Sequence, residues 1–561
     1  MPVITLDQDR FSKLTGRKVE IYDMTKWLPW LGLDIEEVGP TYVKVEYNPN
    51  RMDFSSQGGI ARAFCGIMEW ETGLPTYEVH QGSIVLSVDS TVSKVRPYVL
   101  GAVIRDIKLD DEAVRELMEI QEDLHWGIGR DRRKASIGVH NLDSVEPPFT
   151  YKAVPPDEIS FVPLAKIEEM TLGEILERHD KGVAYRHLVD WSPIYPIIVD
   201  RNGDVLSFPP VINGELTRVS SSTKNLFIDV TGPDFNSVSK SLKVLATALR
   251  DMGGTIETVR VRYPDKTFVR PDLSVEKVRL KVRYANKLLG LNLTEEEAIR
   301  CLMRCRLGAK SLEHDILEVW VPPYRTDILH EIDLVEEVAI GYGYYRLKPT
   351  LPKAVTTGKS HNASDVSGFV RQTMLGLGFS EVMNFILANE ETQYDKMRLK
   401  AEKVIRLANP TSAEYSIARG SLLPSLMKNL SENKHESYPQ TIFEVSDVLK
   451  IDDQAETRTR RELHAAAVAS HPSANFTEVR SYAEALLHSL GIANFIVKVT
   501  SHPSFLEGRV ASIQHNRKEI GIVGEIHPEV LNNFELENPT GAFEINLEEL
   551  LDNLIMKDRK V

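Results

Sequence analysis

The sequence predicts a multidomain α+β protein, and three observations carry that prediction. The chain has 561 residues, several times the ~150 of a typical domain. Its composition, 42% hydrophobic, 26% charged and 7% aromatic, is globular and excludes disordered, collagen-like and fibrous classes. Helix-period and strand-period stretches alternate along the chain, with no fixed-period repeat and no low-complexity segment. No apolar run reaches the ~18 residues of a membrane span, and the opening MPVITLDQDRFSKL is too polar for a secretory signal. Three cysteines, Cys65, Cys301 and Cys305, are too few for a disulfide framework or a four-thiolate zinc site. A reducing, cytoplasmic location is expected. The net charge of −14 argues against non-specific coating of DNA or RNA, yet leaves room for a large enzyme with a local nucleic-acid patch.

Four segments follow from the patterning: residues 1–90, 91–267, 268–350 and 351–561. The first is an α/β module built around YNPNRMDFSSQGGIARAF. There Asn48-Pro49-Asn50 reads as a turn, and Gln57-Gly58-Gly59 enters a short helix carrying Arg62. The second is β-rich. It opens on the strand VRPYVLGAVIRDIKL and passes through the helix VRELMEIQEDLHWGIGR. A basic cluster (Arg130, Arg132, Arg133, Lys134) then leads into apolar Ile137 to Val139. Such a run is ordinarily a solvated face, with RNA contact the less common role. Asn202-Gly203 between apolar runs signals a hairpin, and NLFIDVTG reads as an alternating strand.

In the third segment, Thr294 and Glu297 form a capping box that opens the helix EEEAIRCLMRCRL, with its stop at Gly308. Cys301 and Cys305, four apart with no further ligand at metal spacing, read as small buried residues. The strand DILEVWVPP puts Leu317, Val319 and Val321 on one face. The last segment alternates the helices SDVSGFVRQTMLGLG, RSYAEALLHSLG and LEELLDNLIM with the strands QTIFEVSDVLKI, VASIQHN, EIGIVGEI and GAFEINL, several of them antiparallel in pattern.

Two stretches carry chemistry. In PPYRTDILHEIDLVEEVAIGYGY, a helix beginning near Asp327 places Ile328, Ile332, Val335 and Ala339 on one stripe. Asp333, Glu336 and Glu337 share a neighbouring face, which Asp327 joins only by bending in from the helix start. Crowded carboxylates suit a hard cation such as Mg²⁺; a solvated acidic face is the plainer alternative. In PPVINGELTRVSSSTKNLFIDVTG, Asn213-Gly214 is expected to make a tight turn. Glu215, Thr217, Asp229 and Thr231 would recognise a hydroxyl and an ammonium group if they converge; the alternative is a polar turn and an edge strand. No Walker A loop, G-x-S-x-G elbow, H-E-x-x-H or dinucleotide fingerprint is present.

Taken in order, these motifs resemble the β subunit of phenylalanyl-tRNA synthetase, in its archaeal/eukaryotic form. NPNRMDFSSQGGIARA is similar to that family's N-terminal signature, and SFPPVINGELTRVSSSTKNLFIDVTGPD to its editing signature. PPYRTDILHEIDLVEEVAIGYGY matches its metal-bearing helical domain. NPTSAEYSIARGSLLPSLM with TIFEVSDVL and EIGIVGEIHPEVL resembles its C-terminal synthetase-like domain.

The resemblance implies an editing domain at 91–267, a small winged-helix-like domain at 268–350 and an inactive class II synthetase-like antiparallel sheet at 351–561. It implies an α subunit that carries ATP and aminoacylation, paired in an (αβ)₂ heterotetramer that binds tRNA(Phe). By the same resemblance Asp327, Asp333, Glu336 and Glu337 ligate a Mg²⁺ shared with α. Ser207, Asn213, Glu215, Asp229 and Thr231 form an editing pocket for Tyr-tRNA(Phe). Ser207 is assigned to the wall, Asn213 and Glu215 to the tyrosine hydroxyl or mouth, and Asp229 and Thr231 to the amino-acid end. His140 and His187 are candidates for a base, and no aminoacylation residue is expected on this chain. No membrane or DNA partner is expected. The bacterial form's OB-like insert and C-terminal anticodon-binding domain are not recognisable. A non-editing scaffold is the alternative; a metal-dependent hydrolase using His330 or His314 ranks last.

Overall fold

The repeat YVKVEY buries Val43, Val45 and Tyr47 on one face. This makes Tyr42–Tyr47 the middle of an antiparallel sheet between Val3–Asp7 and Leu33–Val38. The computed structural model describes residues 2–351, 356–548 and 550, and the chain forms two units, 1–351 and 352–561. The expected closing helix LEELLDNLIM lies largely outside the described residues.

In the first unit, Ser56 caps the helix Gln57–Ile67 by accepting from Gly59 N. A Cβ at Gly59 would lie 1.8 Å from Asp53 O, so the Gly-Gly entry is a steric requirement. Arg62 on this helix reaches Asp251 and Tyr77 and lies 3.7 Å over the Tyr324 ring.

The dominant element is an 11-stranded sheet. Its path runs Ile212–Asn213, Val205–Phe208, Tyr195–Val199, Phe149–Val154, Val85–Val88, Thr255–Arg262, Tyr98–Arg105, Leu226–Gly232 and Ser136–Asn141. Val85–Val88 and the short Val79–His80, both before residue 90, belong to this sheet. Asn202-Gly203 lies in the hairpin between Tyr195–Val199 and Val205–Phe208, with Gly203 at φ +91°. The NLFIDVTG strand is not half-buried. Leu226–Gly232 is buried throughout because it runs between two partners. The helices Asp111–Trp126 and Phe235–Asp251 cover its Leu226, Ile228 and Val230 face. The opposite face carries Phe227 into a second core with Leu86, Phe149 and Leu206.

A three-stranded sheet follows, with Ile316–Val321 between Glu276–Lys281 and Gly308–Glu313. Leu317, Val319 and Val321 point into its core. The Thr294–Glu297 capping box is made in both directions, at 3.2 and 2.8 Å. The helix Glu295–Arg304 stops short of Gly308, because Arg306 turns left-handed at φ +62°. The acidic helix begins at Glu331, not near Asp327. With that start Ile332 faces out, 47% exposed, and leaves the apolar stripe to Ile328, Val335 and Ala339.

The second unit is a seven-stranded sheet ordered Ser380–Glu381, Gln440–Ile451, Thr459–Ser470, Thr540–Asn546, Lys518–Ile526, Phe505–His515 and Phe495–Val499. All neighbours are antiparallel except the first pair. Ala465, Ala467 and Ala469 pack beneath the helices Asn362–Gly376 and Phe476–Ser489, while Ala466 and Val468 face Leu423–Glu432.

On this sheet His464 bridges Glu544 at 2.7 Å and Glu462 at 3.2 Å. Burial disfavours the charged imidazole, but the two carboxylates outweigh it and raise the His464 pKa. Glu544, which burial alone would push up, is held at about 2 by His464, Ser421 and the Leu422 N–H. Glu462 sits at about 2 through His464 and Arg460. Carboxylates held this low stabilise the fold above their ordinary value of 4.5, and that stability drains away as pH falls to about 2. The His464 contribution is complete below 6.5 and fades as pH rises through its elevated pKa. Thermal melts across this range should show a steep acid loss that flattens in His464→Ala; an equal acid slope in both proteins refutes the coupling.

Candidate active site

The fully buried strand Leu226–Gly232 places Asp229 directly opposite Gly138 and Phe227 opposite His140. Residues 138 and 140 share a face because strand side chains alternate, so His140 reaches back over the gap beside Gly138. Its Nε2 lies 2.7 Å from Asp229 Oδ2, and its Nδ1 lies 2.8 Å from Thr217 Oγ1. The carboxylate accepts the Nε2–H, which leaves Nδ1 to accept the Thr217 hydroxyl proton. A Cβ on Gly138 would stand 2.1 Å from Asp229 Oδ2 and 2.6 Å from His140 Nε2. A glycine inside a strand is therefore what admits the pair.

Asp229 opens onto a cavity of 440 Å³. Val114 and Met118 of the helix Asp111–Trp126, Ile137, Val139, Phe208 and Val211 supply apolar wall, and Ser207, Asn213, His125, Glu122 and Arg132 add polar groups. Ser207 Oγ is buried without a hydrogen-bond partner. Of the five residues expected to form a pocket, Ser207, Asn213 and Asp229 converge here. Thr231 does not. It is fully buried beyond the cavity wall, where its hydroxyl meets Arg96 Nε and Ser136 Oγ at 3.0 Å each.

Glu215 does not line the cavity either. Its carboxylate accepts from Ala165 N at 2.7 Å and pairs with Arg218 at 2.9 Å, which pins the 163–165 stretch beside Gly214. Asn213-Gly214 is extended rather than a tight turn: Ile212–Asn213 pairs with Val205–Phe208, and Gly214 N donates to Leu206 O. Gly214 is needed for close approach, since a Cβ would lie 2.6 Å from Val205 O. His187 is exposed on a short 3₁₀ turn and is absent from the cavity.

The basic cluster divides. Arg130, Arg133 and Lys134 are exposed, but Arg132 is buried. Its guanidinium donates to Pro210 O and Val211 O at 3.1 and 3.0 Å and to Glu122 at 2.8 Å, and lies over Tyr185. Residues 130–132 are all left-handed, and Arg96, donating to Arg132 O, helps to hold them so.

The acidic motif is arranged around an arginine. Arg325 donates to Asp327 at 2.9 and 2.7 Å and to Glu337 at 2.9 and 2.5 Å, all four groups being buried or nearly so. Asp333 accepts from Leu329 N and His330 N at 2.7 Å each and so caps the helix. Glu336 is exposed; burial on one side and the nearby Glu337, Asp327 and Asp333 raise its pKa. Among the described residues no group of three or more His, Cys, Asp or Glu stands ready to hold a metal ion. Carboxylate oxygens keep a second lone pair after accepting one bond, so the donors fit a hard cation in chemistry although they do not form a coordination shell.

Two family models match. The tRNA synthetase B5 domain covers residues 278–344, and the phenylalanyl-tRNA synthetase β-chain CLM domain covers 347–547. The phenylalanine–tRNA ligase β subunit of Archaeoglobus fulgidus is 44% identical over 98% of this chain and 99% of its own length. The chain belongs to the phenylalanine–tRNA ligase β-subunit family. The β subunit of Methanocaldococcus jannaschii is 42% identical over 98% of this chain and 100% of its own length. An N-terminal fragment of the phenylalanyl-tRNA synthetase β subunit from Pyrococcus horikoshii is similar in structure, with a TM-score of 0.59 and 35% identity over 61% of this chain and 99% of the fragment.

Sequence reasoning overlooked Gly138, Arg96, Glu122 and His125. Only Gly138 carried a local signal, as a glycine between β-formers. Because its missing Cβ makes room for the Asp229–His140 pair, Gly138→Ala should cost about 1–3 kcal/mol by overpacking and separate the pair. A crystal structure of the variant with His140 unmoved and an unchanged melting temperature would contradict this.

Proposed function

We propose that this family member is an editing subunit: its 440 Å³ cavity hydrolyses tRNA(Phe) misacylated with tyrosine. It acts in the cytoplasm beside an α subunit that performs ATP-dependent aminoacylation, in an (αβ)₂ assembly. The observation that carries the reading is the buried Asp229 carboxylate, held by His140 at 2.7 Å at the edge of a largely apolar cavity. Such a carboxylate suits the α-ammonium of an aminoacyl ester, and the apolar wall suits its ring. Both His140 nitrogens are engaged, so His140 orients Asp229 rather than acting as the base.

The reaction adds water across one ester bond. The water oxygen joins the acyl carbon, the bond from that carbon to the ribose oxygen breaks, and the water's proton ends on the ribose hydroxyl. Ser207 Oγ, buried and unpaired, is the group placed to orient that water. Asp229→Asn should slow Tyr-tRNA(Phe) deacylation by the αβ complex ~100-fold, the scale of a hydrogen bond to a charged group, with phenylalanine charging unaffected. Undiminished deacylation refutes the assignment. No deacylation by the unmutated complex would leave the chain a scaffold.

The acidic motif is proposed as a Mg²⁺ site made by Asp327, Asp333, Glu336 and Glu337. A cation there neutralises carboxylates whose mutual repulsion already raises the Glu336 pKa. Glu336→Gln should weaken Mn²⁺ binding, read by electron paramagnetic resonance, about tenfold or more; equal binding by both proteins excludes Glu336 as a ligand.

A further inference from the structure

A second polar group of the cavity belongs to the helix Asp111–Trp126. His125, in its last turn, is 3% exposed and lines the cavity. Its Nε2 accepts the Ile137 N–H at 2.8 Å, so the neutral ring carries its proton on Nδ1. Burial, acting first, and Arg132 hold its pKa down to about 4 against Glu122, so the ring is neutral at pH 7.

That Nδ1–H has no hydrogen-bond partner. Glu122 Oε2, one turn earlier, stands 3.8 Å away, too far for a hydrogen bond. Glu122 lines the same cavity and is fixed from behind by Arg132 at 2.8 Å and Lys181 at 3.6 Å. A buried donor left without an acceptor is costly. The gap between this donor and the carboxylate suits one oxygen that accepts from the first and donates to the second. A hydroxyl does both; an aromatic C–H does neither.

We propose that His125 and Glu122 form a subsite for a phenolic hydroxyl, with His125 Nδ1–H donating to the oxygen and the Glu122 carboxylate accepting its proton. The proposal rests on the cavity being the deacylation site and supplies its selectivity. A tyrosyl group completes both hydrogen bonds, whereas a phenylalanyl group in the same place leaves the N–H unpaired and covers Glu122 with carbon. Rejection by unmade polar contacts is far stronger than an apolar slot achieves.

The test uses the full-length chain and two non-hydrolysable probes, the 3′-amide-linked tyrosyl and phenylalanyl derivatives of 3′-amino-3′-deoxyadenosine, measured by calorimetry. The unmutated chain should bind the tyrosyl probe about 10- to 100-fold more tightly. His125→Leu should bring the two affinities together by weakening only the tyrosyl probe. His125→Gln, which keeps an acceptor for Ile137 N–H and a donor for the ligand, should restore the preference. The subsite is overturned if the unmutated chain shows no preference or if the preference survives His125→Leu. If His125→Leu loses both probes together, His125→Gln decides: a retained preference supports the subsite and a lost one overturns it. Tyr-tRNA(Phe) deacylation, run in parallel, separates the two ideas. Preference without hydrolysis keeps the subsite and defeats editing, while hydrolysis with a preference indifferent to His125 does the reverse.

Discussion

A carboxylate in the middle of a strand buried on both faces is the constraint on which the cavity depends. An unpaired buried carboxylate costs several kcal/mol, so Asp229 is compatible with Leu226–Gly232 only if a partner reaches it. His140 is that partner, and it reaches Asp229 because Gly138 leaves the intervening position empty. His140 in turn fixes the Thr217 hydroxyl, which anchors the loop after Gly214 against the same wall. Three strands and one loop are thereby tied to a single charge.

Arginines close the surrounding structure where backbone and carboxylates would otherwise be left bare. Arg96 joins Thr231, Ser136 and the Arg132 carbonyl, while Arg132 satisfies Pro210 and Val211. Arg325 plays the same part at the acidic motif, where a planar fork meets two carboxylates at once. The motif thus has a buried half, Asp327 and Glu337, closed by the protein's own cation, and an outer half of Asp333 and Glu336. The outer half borders an open groove with Arg130, Lys134 and Lys240. One short acidic sequence serves packing on one side and faces charge of the opposite sign on the other.

The sequence was a good guide wherever a pattern acts through neighbours in the chain. The Thr294–Glu297 capping box, the Ile316–Val321 strand, the Asn202-Gly203 hairpin and the long Gln440–Ile451 strand form where local chemistry puts them. Patterning misled where a distant group intervened. The acidic helix starts late because Asp333 satisfies the N–H groups of Leu329 and His330 while Asp327 is occupied by Arg325. Asn213-Gly214 reads as a turn locally but is drawn straight by pairing with Val205–Phe208. Arg132 reads as one of four solvated cations, but carbonyls some eighty positions later turn it inward.

What the sequence determined by itself is the kind of protein: a mixed α and β chain of several segments whose motifs, in order, mark its family. Ser207, Asn213 and Asp229 were legible as site residues because polar side chains in apolar strands are costly unless used. Tertiary structure alone decided which polar groups share a cavity. Thr231 and Glu215 satisfy one another's surroundings elsewhere, while His125 and Glu122, nearly a hundred residues before Asp229, arrive beside it. The reason is geometric: strand register and helix packing set distances between residues far apart in the chain, and no local spacing encodes them.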